Sequence, residues 1–160
     1  MTTYAWAAAL CTVAAAAVVA GGLTLAVPGT AQASRADCES GANGFVDIAE
    51  YQEGAEKHRL ELRPGALRPG TLTLDVANIQ GRQRGFAKLV AGQSGDEFWL
   101  DWTTNYSNGN ASSWVQCGPF VSPDSGPHTT AAKETNSADS WRFRACGSSV
   151  YSDTVKCTPW

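Results

Sequence analysis

Polar and apolar residues alternate over several short segments of this 160-residue chain, and this alternation restricts its fold more than any other feature. A period of two residues is typical of β-strands that are buried on one face. In the clearest segment, 97–104, one face carries Phe98, Leu100 and Trp102, and the other carries Trp99, Asp101 and Thr103. Similar patterns predict further strands at 71–76, 85–90, 112–117 and 140–146.

Short polar segments separate these strands, at 80–83, 93–96 and 107–110. The pair Asn108-Gly109 supplies the positive φ angles that a tight hairpin requires. Strands at this spacing, joined by short turns, predict an all-β fold: a small antiparallel sandwich or barrel.

The segment 47–63 is compatible with two structures. Its apolar residues can share one face of a helix, but Gly54 interrupts that pattern. The runs 45–48 and 58–62 are also typical of strands, with a turn at 53–56 between them. We favour this hairpin over the helix.

The segment 118–139 has a different composition. Pro119, Pro123 and Pro127 are mixed with Ser, Thr, Gly and Asn, and there is no apolar periodicity. These features predict a long loop inside the domain. Such loops are uncommon in compact domains, and they are often either functional or disordered.

The first 33 residues contain no Asp, Glu, Lys or Arg and consist largely of small and apolar residues. They end in Ala31-Gln32-Ala33, the small-x-small pattern that precedes a signal-peptidase cleavage site. We therefore interpret 1–33 as a secretory signal peptide and 34–160 as a single exported domain. Because the apolar stretch is also long enough to span a bilayer, an uncleaved N-terminal membrane anchor is the alternative.

Four cysteines lie in the predicted domain: Cys38, Cys117, Cys146 and Cys157. In an exported chain they predict two disulfides, for which three pairings exist. We favour Cys38 with Cys117 and Cys146 with Cys157, the second pair closing a short loop. There is no Cys-x-x-Cys pair, and neither histidine lies near a cysteine at ligand spacing, so we expect no metal and no cofactor.

Charge and motif content exclude several functions. The chain has 12 basic and 15 acidic residues, a net charge of −3, whereas nucleic acids and anionic membranes require basic patches. The only histidines are His58 and His128, and neither belongs to a recognisable catalytic motif. No pair of carboxylates stands out for glycoside hydrolysis. We therefore expect no catalytic residues, and a small secreted hydrolase is the least favoured class.

Tryptophans are the best candidates for a binding surface, because an exposed indole stacks on sugar rings and anchors protein interfaces. We place Trp102 and Trp141 in the core and expect Trp99 to face outward beside Asp101. The face of Trp114 depends on the register of the 97–117 hairpin. If the numbers of two paired residues add up to an odd value, Trp114 lies on that outer face; if they add up to an even value, it lies on the face of Trp102. The last residue, Trp160, is also expected to be exposed. The predicted binding residues are therefore Trp99, Asp101, Trp114 and Trp160.

Part of the chain is similar to known proteins. The runs FWLDW at 98–102, WVQCGPF at 114–120 and WRFRACG at 141–147, with the ending CTPW, resemble small secreted proteins of actinomycetes that have no assigned activity. The resemblance covers the C-terminal half of the predicted domain. It implies secretion and a bacterial host, and it brings no catalytic residues.

These observations predict a secreted, non-catalytic binding or interaction module whose partner is a glycan or an extracellular protein. A cell-wall or environmental glycan is the favoured ligand. The second hypothesis is a secreted inhibitor of proteases or other enzymes that uses 118–139, because a rigid loop binds without a large ordering cost. Lys133 would then be the residue for a trypsin-like specificity pocket.

Overall fold

The computed structural model describes residues 31–160. The predicted signal peptide and the alternative membrane anchor fall largely on 1–30 and so lie outside the described residues. Within 31–160, no helix has the length and apolar character needed to cross a bilayer.

The described chain is mostly β-structure, as the alternation predicts. Its strands are β1 (Ala31–Ala33), β2 (Phe45–Val46), β3 (Ala55–Glu61), β4 (Thr71–Ile79), β5 (Arg82–Ala91), β6 (Glu97–Thr103), β7 (Tyr106–Ser107), β8 (Asn110–Ala111), β9 (Val115–Val121), β10 (His128–Thr129), β11 (Ala132–Glu134), β12 (Arg142–Ser149) and β13 (Ser152–Cys157). A short helix, α1 (Arg35–Glu39), and a 3-10 turn (Ala42–Gly44) lie between β1 and β2.

Two sheets pack face to face. The first sheet has the strand order β1-β9-β6-β12-β13, and the second has the order β2-β11-β5-β4-β3, with β10 also paired to β5. Within the described chain all pairings are antiparallel except that of β1 with β9. The predicted antiparallel sandwich is therefore confirmed.

The hydrophobic core lies between the two sheets. It includes Phe98, Leu100 and Ala145 from the first sheet and Leu72, Leu74 and Leu89 from the second. Both predicted disulfides are present: Cys38–Cys117 joins α1 to β9, and Cys146–Cys157 joins β12 to β13. The Asn108-Gly109 turn has positive φ at both residues, 50° and 83°, as a two-residue hairpin requires.

The hairpin predicted from β2 and β3 is wrong in its pairing, although both strands exist. They lie at opposite edges of the second sheet. The connection 47–54 crosses the outer face of that sheet, where Gly54 packs against Phe86 and the Ala49 carbonyl accepts a 2.8 Å hydrogen bond from the Thr129 hydroxyl. Strand propensity is local, whereas the choice of partner depends on the path of the connection.

The long loop predicted at 118–139 is also corrected. β9 continues to Val121, and β10 and β11 add two short strands that pair with β5. These strands are too short to show a period, and the buried side chains in and between them include the small residues Ala131 and Ala132. Backbone pairing, rather than an apolar pattern, orders this part of the chain.

Candidate functional site

The predicted binding residues lie on the face of the first sheet that points away from the core. Trp102 of β6 is paired with Val115 of β9, and these two residue numbers add up to an odd value. Trp114, the residue before Val115, therefore lies on the same face as Asp101. The structure thus selects the outward register from the two that the sequence left open.

Trp99 points away from the core but is not exposed. Only 8% of its surface is accessible, so the expectation of an open indole is wrong. Cys146 of the Cys146–Cys157 disulfide is paired with it on one side. On the other side Gly118 approaches so closely that a Cβ built on it would lie 2.7 Å from the Trp99 Cβ. The alternation correctly predicts which face of the sheet carries Trp99. It does not predict which residues lie against the indole there.

Asp101 is also buried, with 1% of its surface accessible. Its Oδ2 accepts a 2.8 Å hydrogen bond from Nε of Arg144 and lies 2.8 Å from Nη2 of the same guanidinium in an ion pair. Burial raises the pKa of Asp101 to about 6, although the neighbouring guanidinium acts in the opposite direction. The expected contact between Asp101 and a ligand is therefore corrected: this carboxylate positions Arg144.

Arg144 in turn lies between two of the predicted binding residues. Its guanidinium carbon is 4.1 Å from the ring centroid of Trp160 and 5.0 Å from that of Trp114. The two indoles also meet edge to face, with centroids 6.0 Å apart. We call Trp114, Arg144 and Trp160 the arginine stack. Cation–π contacts backed by a buried carboxylate hold both indoles in place at the surface.

A groove of about 460 Å³ opens where β3 and β4 of the second sheet approach β12 of the first. We call it the edge groove. Its apolar part consists of Leu74, Val76, Trp141, Phe143 and Trp160. Its polar part consists of Lys57, His58, Thr135, Asn136 and Arg142.

Trp160 connects the arginine stack to the edge groove, because it belongs to both. Trp141 reaches the groove by a different route. It packs against Trp102 with ring centroids 5.3 Å apart but stays half-buried, so it is only partly the core residue that the alternation predicts. Trp102 does pack against the core. Trp114 is outside the groove and lines a smaller cleft of about 190 Å³.

Most residues of the edge groove could not be predicted from the sequence. Trp160 is the only predicted binding residue in the groove, and nothing in the sequence indicated Lys57, His58 or Arg142 as binding residues. Lys57 and His58 belong to β3 of the second sheet and Arg142 to β12 of the first, and no local spacing connects the two strands. A signal existed only for Trp141 and Phe143, which share one face of the predicted strand at 140–146.

Lys133 is half-buried, and its side chain makes contacts within the chain. Its ammonium donates a 2.6 Å hydrogen bond to the Asn43 carbonyl and lies 4.3 Å from the ring centroid of Trp102. Burial lowers the pKa of this lysine. These contacts hold the Lys133 side chain in the folded chain, and its role in a specificity pocket stays a prediction.

One cluster in residues 31–160 has the spacing of metal ligands, namely Asp101 with Cys146 and Cys157. Both sulfur atoms belong to the disulfide and cannot supply a thiolate. The chemistry of this donor set therefore does not fit a metal ion.

Comparison with models of protein families, with curated proteins and with solved structures found no match to this chain, so the resemblance to small secreted proteins of actinomycetes stays a prediction.

Proposed function

We propose that this protein is a secreted, non-catalytic module that binds a glycan in the edge groove. The observation that carries the proposal is the position of two half-buried indoles, Trp141 and Trp160, on one groove with hydrogen-bonding side chains beside them. Sugar rings offer apolar C–H faces that stack on indoles and hydroxyl groups that bond to polar side chains. A mainly apolar cleft with a few polar groups is the usual form of a small-ligand site.

Preorganisation of the two indoles supports the proposal. Trp160 is held by Arg144, which is itself bonded to the buried Asp101. Trp141 is held by its contact with Trp102. Because neither ring has to be ordered when a ligand arrives, binding would cost little conformational entropy.

The polar part of the groove favours binding over hydrolysis. Most glycosidases need two carboxyl groups on either side of the scissile bond. No aspartate or glutamate of the described residues 31–160 lines the edge groove, whose ionisable side chains are those of Lys57, His58 and Arg142. This composition suits recognition of a sugar without cleavage.

Secretion is part of the same proposal. Two disulfides indicate an oxidising environment, which in most organisms means outside the cytoplasm. The uncharged apolar segment ending in Ala31-Gln32-Ala33 is the export signal that would deliver the chain there, and its Ala-rich composition suits a bacterial host. Environmental and cell-wall polysaccharides are the glycans available in that location.

The direct test is retention of the purified protein on insoluble chitin, cellulose and peptidoglycan, together with tryptophan fluorescence against soluble oligosaccharides. We expect retention on at least one polysaccharide and a shift in emission. Trp160→Ala and Trp141→Ala should each weaken binding by about fivefold or more, which corresponds to about 1 kcal/mol for a lost stacking contact.

Tyr151→Ala is the matched control, because Tyr151 is an exposed aromatic residue outside the groove. This variant should bind like the unmodified protein. Unfolding curves of all three variants separate loss of binding from loss of folding. No retention on any polysaccharide, or equal weakening by Tyr151→Ala, would refute glycan binding in the groove.

A further inference from the structure

The charge of the edge groove is opposite to that of the whole chain. The chain carries a net charge of −3. In the groove the charged side chains are Lys57 and Arg142, with His58 next to Lys57, and no aspartate or glutamate of residues 31–160 is among the lining residues. A local excess of positive charge on an acidic protein indicates a site that attracts a negative ligand.

The ammonium group of Lys57 is available to a ligand. Lys57 is exposed on β3, and it forms no salt bridge within the described part of the chain. Its acidic neighbour Glu56 is bonded to Arg59 instead, at 2.6 Å. Lys57 therefore keeps its full charge for a partner outside the chain.

The guanidinium of Arg142 is held in position but not neutralised. Its Nη1 donates a 2.8 Å hydrogen bond to the Trp141 carbonyl, and its carbon lies 5.2 Å from the ring centroid of Tyr106. The nearest carboxylate belongs to Asp139, at 3.7 Å, and that side chain is fully exposed to solvent. A contact of this length in water contributes little, so most of the donors of Arg142 remain free for an anion.

We propose that the edge groove selects acidic glycans, those whose sugar rings carry carboxylate or sulfate groups. This inference rests on the proposed function: the indoles of Trp141 and Trp160 contact the sugar rings, and Lys57 and Arg142 bind the negative groups. Arginine matches planar carboxylates and sulfates with two parallel hydrogen bonds, and lysine adds a point charge.

The test compares polysaccharides that differ mainly in charge. Polygalacturonate is measured against its methyl-esterified form, and dextran sulfate against dextran, by calorimetry or fluorescence at low and at 0.5 M salt. We expect each acidic member to bind about tenfold more tightly than its neutral counterpart at low salt, with most of the difference lost at high salt. The two pairs also distinguish carboxylate from sulfate as the recognised group.

The variant pair Lys57→Gln and Arg142→Gln, made together, should remove the preference, so that the acidic and the neutral member of each pair bind with equal affinity. Arg68→Gln is the control for charge alone, because Arg68 is exposed and lies outside the groove. An equal loss in the control and the double variant would overturn the inference, as would equal affinity for acidic and neutral members. If none of these polysaccharides and no insoluble polysaccharide binds, the proposed function itself fails.

Discussion

Gly118 lies directly against Trp99, so closely that a methyl group on the glycine would stand 2.7 Å from the Trp99 Cβ. The φ of Gly118 is also positive, at 132°, where residues with a side chain are strained. The only residue type that satisfies both conditions without strain is glycine. The neighbouring strand therefore lies directly against Trp99, a residue that is buried although it is on the outer face of its sheet.

Gly118→Ala should therefore destabilise the protein by about 2 kcal/mol or more, through both steric overlap and backbone strain. Gly109→Ala is the control, because Gly109 has a positive φ of 83° but no atom within 4 Å of an added Cβ. It should cost only about 1 kcal/mol. Urea unfolding of both variants gives the comparison, and equal losses would mean that contact with Trp99 is unimportant.

Trp99→Ala should reduce the free energy of unfolding by about 3–5 kcal/mol, since it empties a buried site the size of an indole. Leu67→Ala, at a fully exposed apolar residue, should change stability by less than about 0.5 kcal/mol. Chemical denaturation measures both. A well-folded Trp99→Ala variant with unchanged stability but weaker ligand binding would restore Trp99 as a contact residue.

The carboxyl group of Asp101 should titrate near pH 6, well above the 3.8 of a free aspartate, and carbon NMR of the side chain can follow it. Between about pH 4 and pH 6 the folded form holds a proton on Asp101 that the unfolded form has released. The contribution of this group to the free energy of unfolding therefore falls as the pH rises through that interval. The size of that effect is on the order of 3 kcal/mol.

Asp101→Asn removes this proton linkage and keeps the shape of the side chain. The stability of the variant should not show this decline between about pH 4 and pH 6. Other carboxylates contribute equally to both proteins and cancel in the comparison. Parallel pH profiles for the two proteins would contradict a raised pKa at Asp101.

Lys133 should resist trypsin in the folded protein, because β11 is paired on both sides and the ammonium is bonded to Asn43. Mass spectrometry after brief digestion should show 132–134 intact, and cleavage after Lys133 should occur only once the protein is reduced and unfolded. Rapid cleavage at Lys133 in the native state, accompanied by inhibition of the protease, would revive the inhibitor hypothesis.

Cleavage after Ala33 would remove β1, which is paired with β9 and buries the Ala33 side chain. A chain beginning at residue 34 should therefore be about 1–2 kcal/mol less stable than one beginning at residue 31, from lost hydrogen bonds and apolar burial. Gln32→Ala in the longer chain is the control, since Gln32 is exposed. Equal stability of the two chains would show that β1 is dispensable, and N-terminal sequencing of the exported protein identifies its true start.

Alternation and turn residues were enough to predict β4, β5, β6, β9 and β12, but not β10, β11 or β13. The strands around Leu72, Phe86, Leu100 and Ala145 are near their predicted positions, because a period of two and an Asn-Gly turn act within a few residues. Pairing was predicted less well. β2 and β3 were expected to be neighbours, yet the path of the 47–54 connection across the outer face separates them by the width of a sheet.

The candidate site was less predictable than the fold. The sequence left the register of β6 and β9 open, and the odd pairing that places Trp114 beside Arg144 comes from a bulge after Phe98 together with the other pairs of the sheet. Nothing in the sequence near Trp160 indicates that its ring would meet both Arg144 and the edge groove. Those contacts join residues far apart in the chain.

The sequence by itself determined that this chain forms an all-β, disulfide-bonded domain, because strand periodicity, turn chemistry and cysteine content are local or compositional properties. Only the tertiary structure decided which aromatic residues are accessible. Exposure depends on which segments lie beside a residue: Gly118 and the Cys146–Cys157 disulfide flank Trp99, whereas the edge between the two sheets leaves Trp141 and Trp160 bordering an open groove. A binding surface of this kind is a property of packing, and packing is set by contacts that no short segment of the sequence contains.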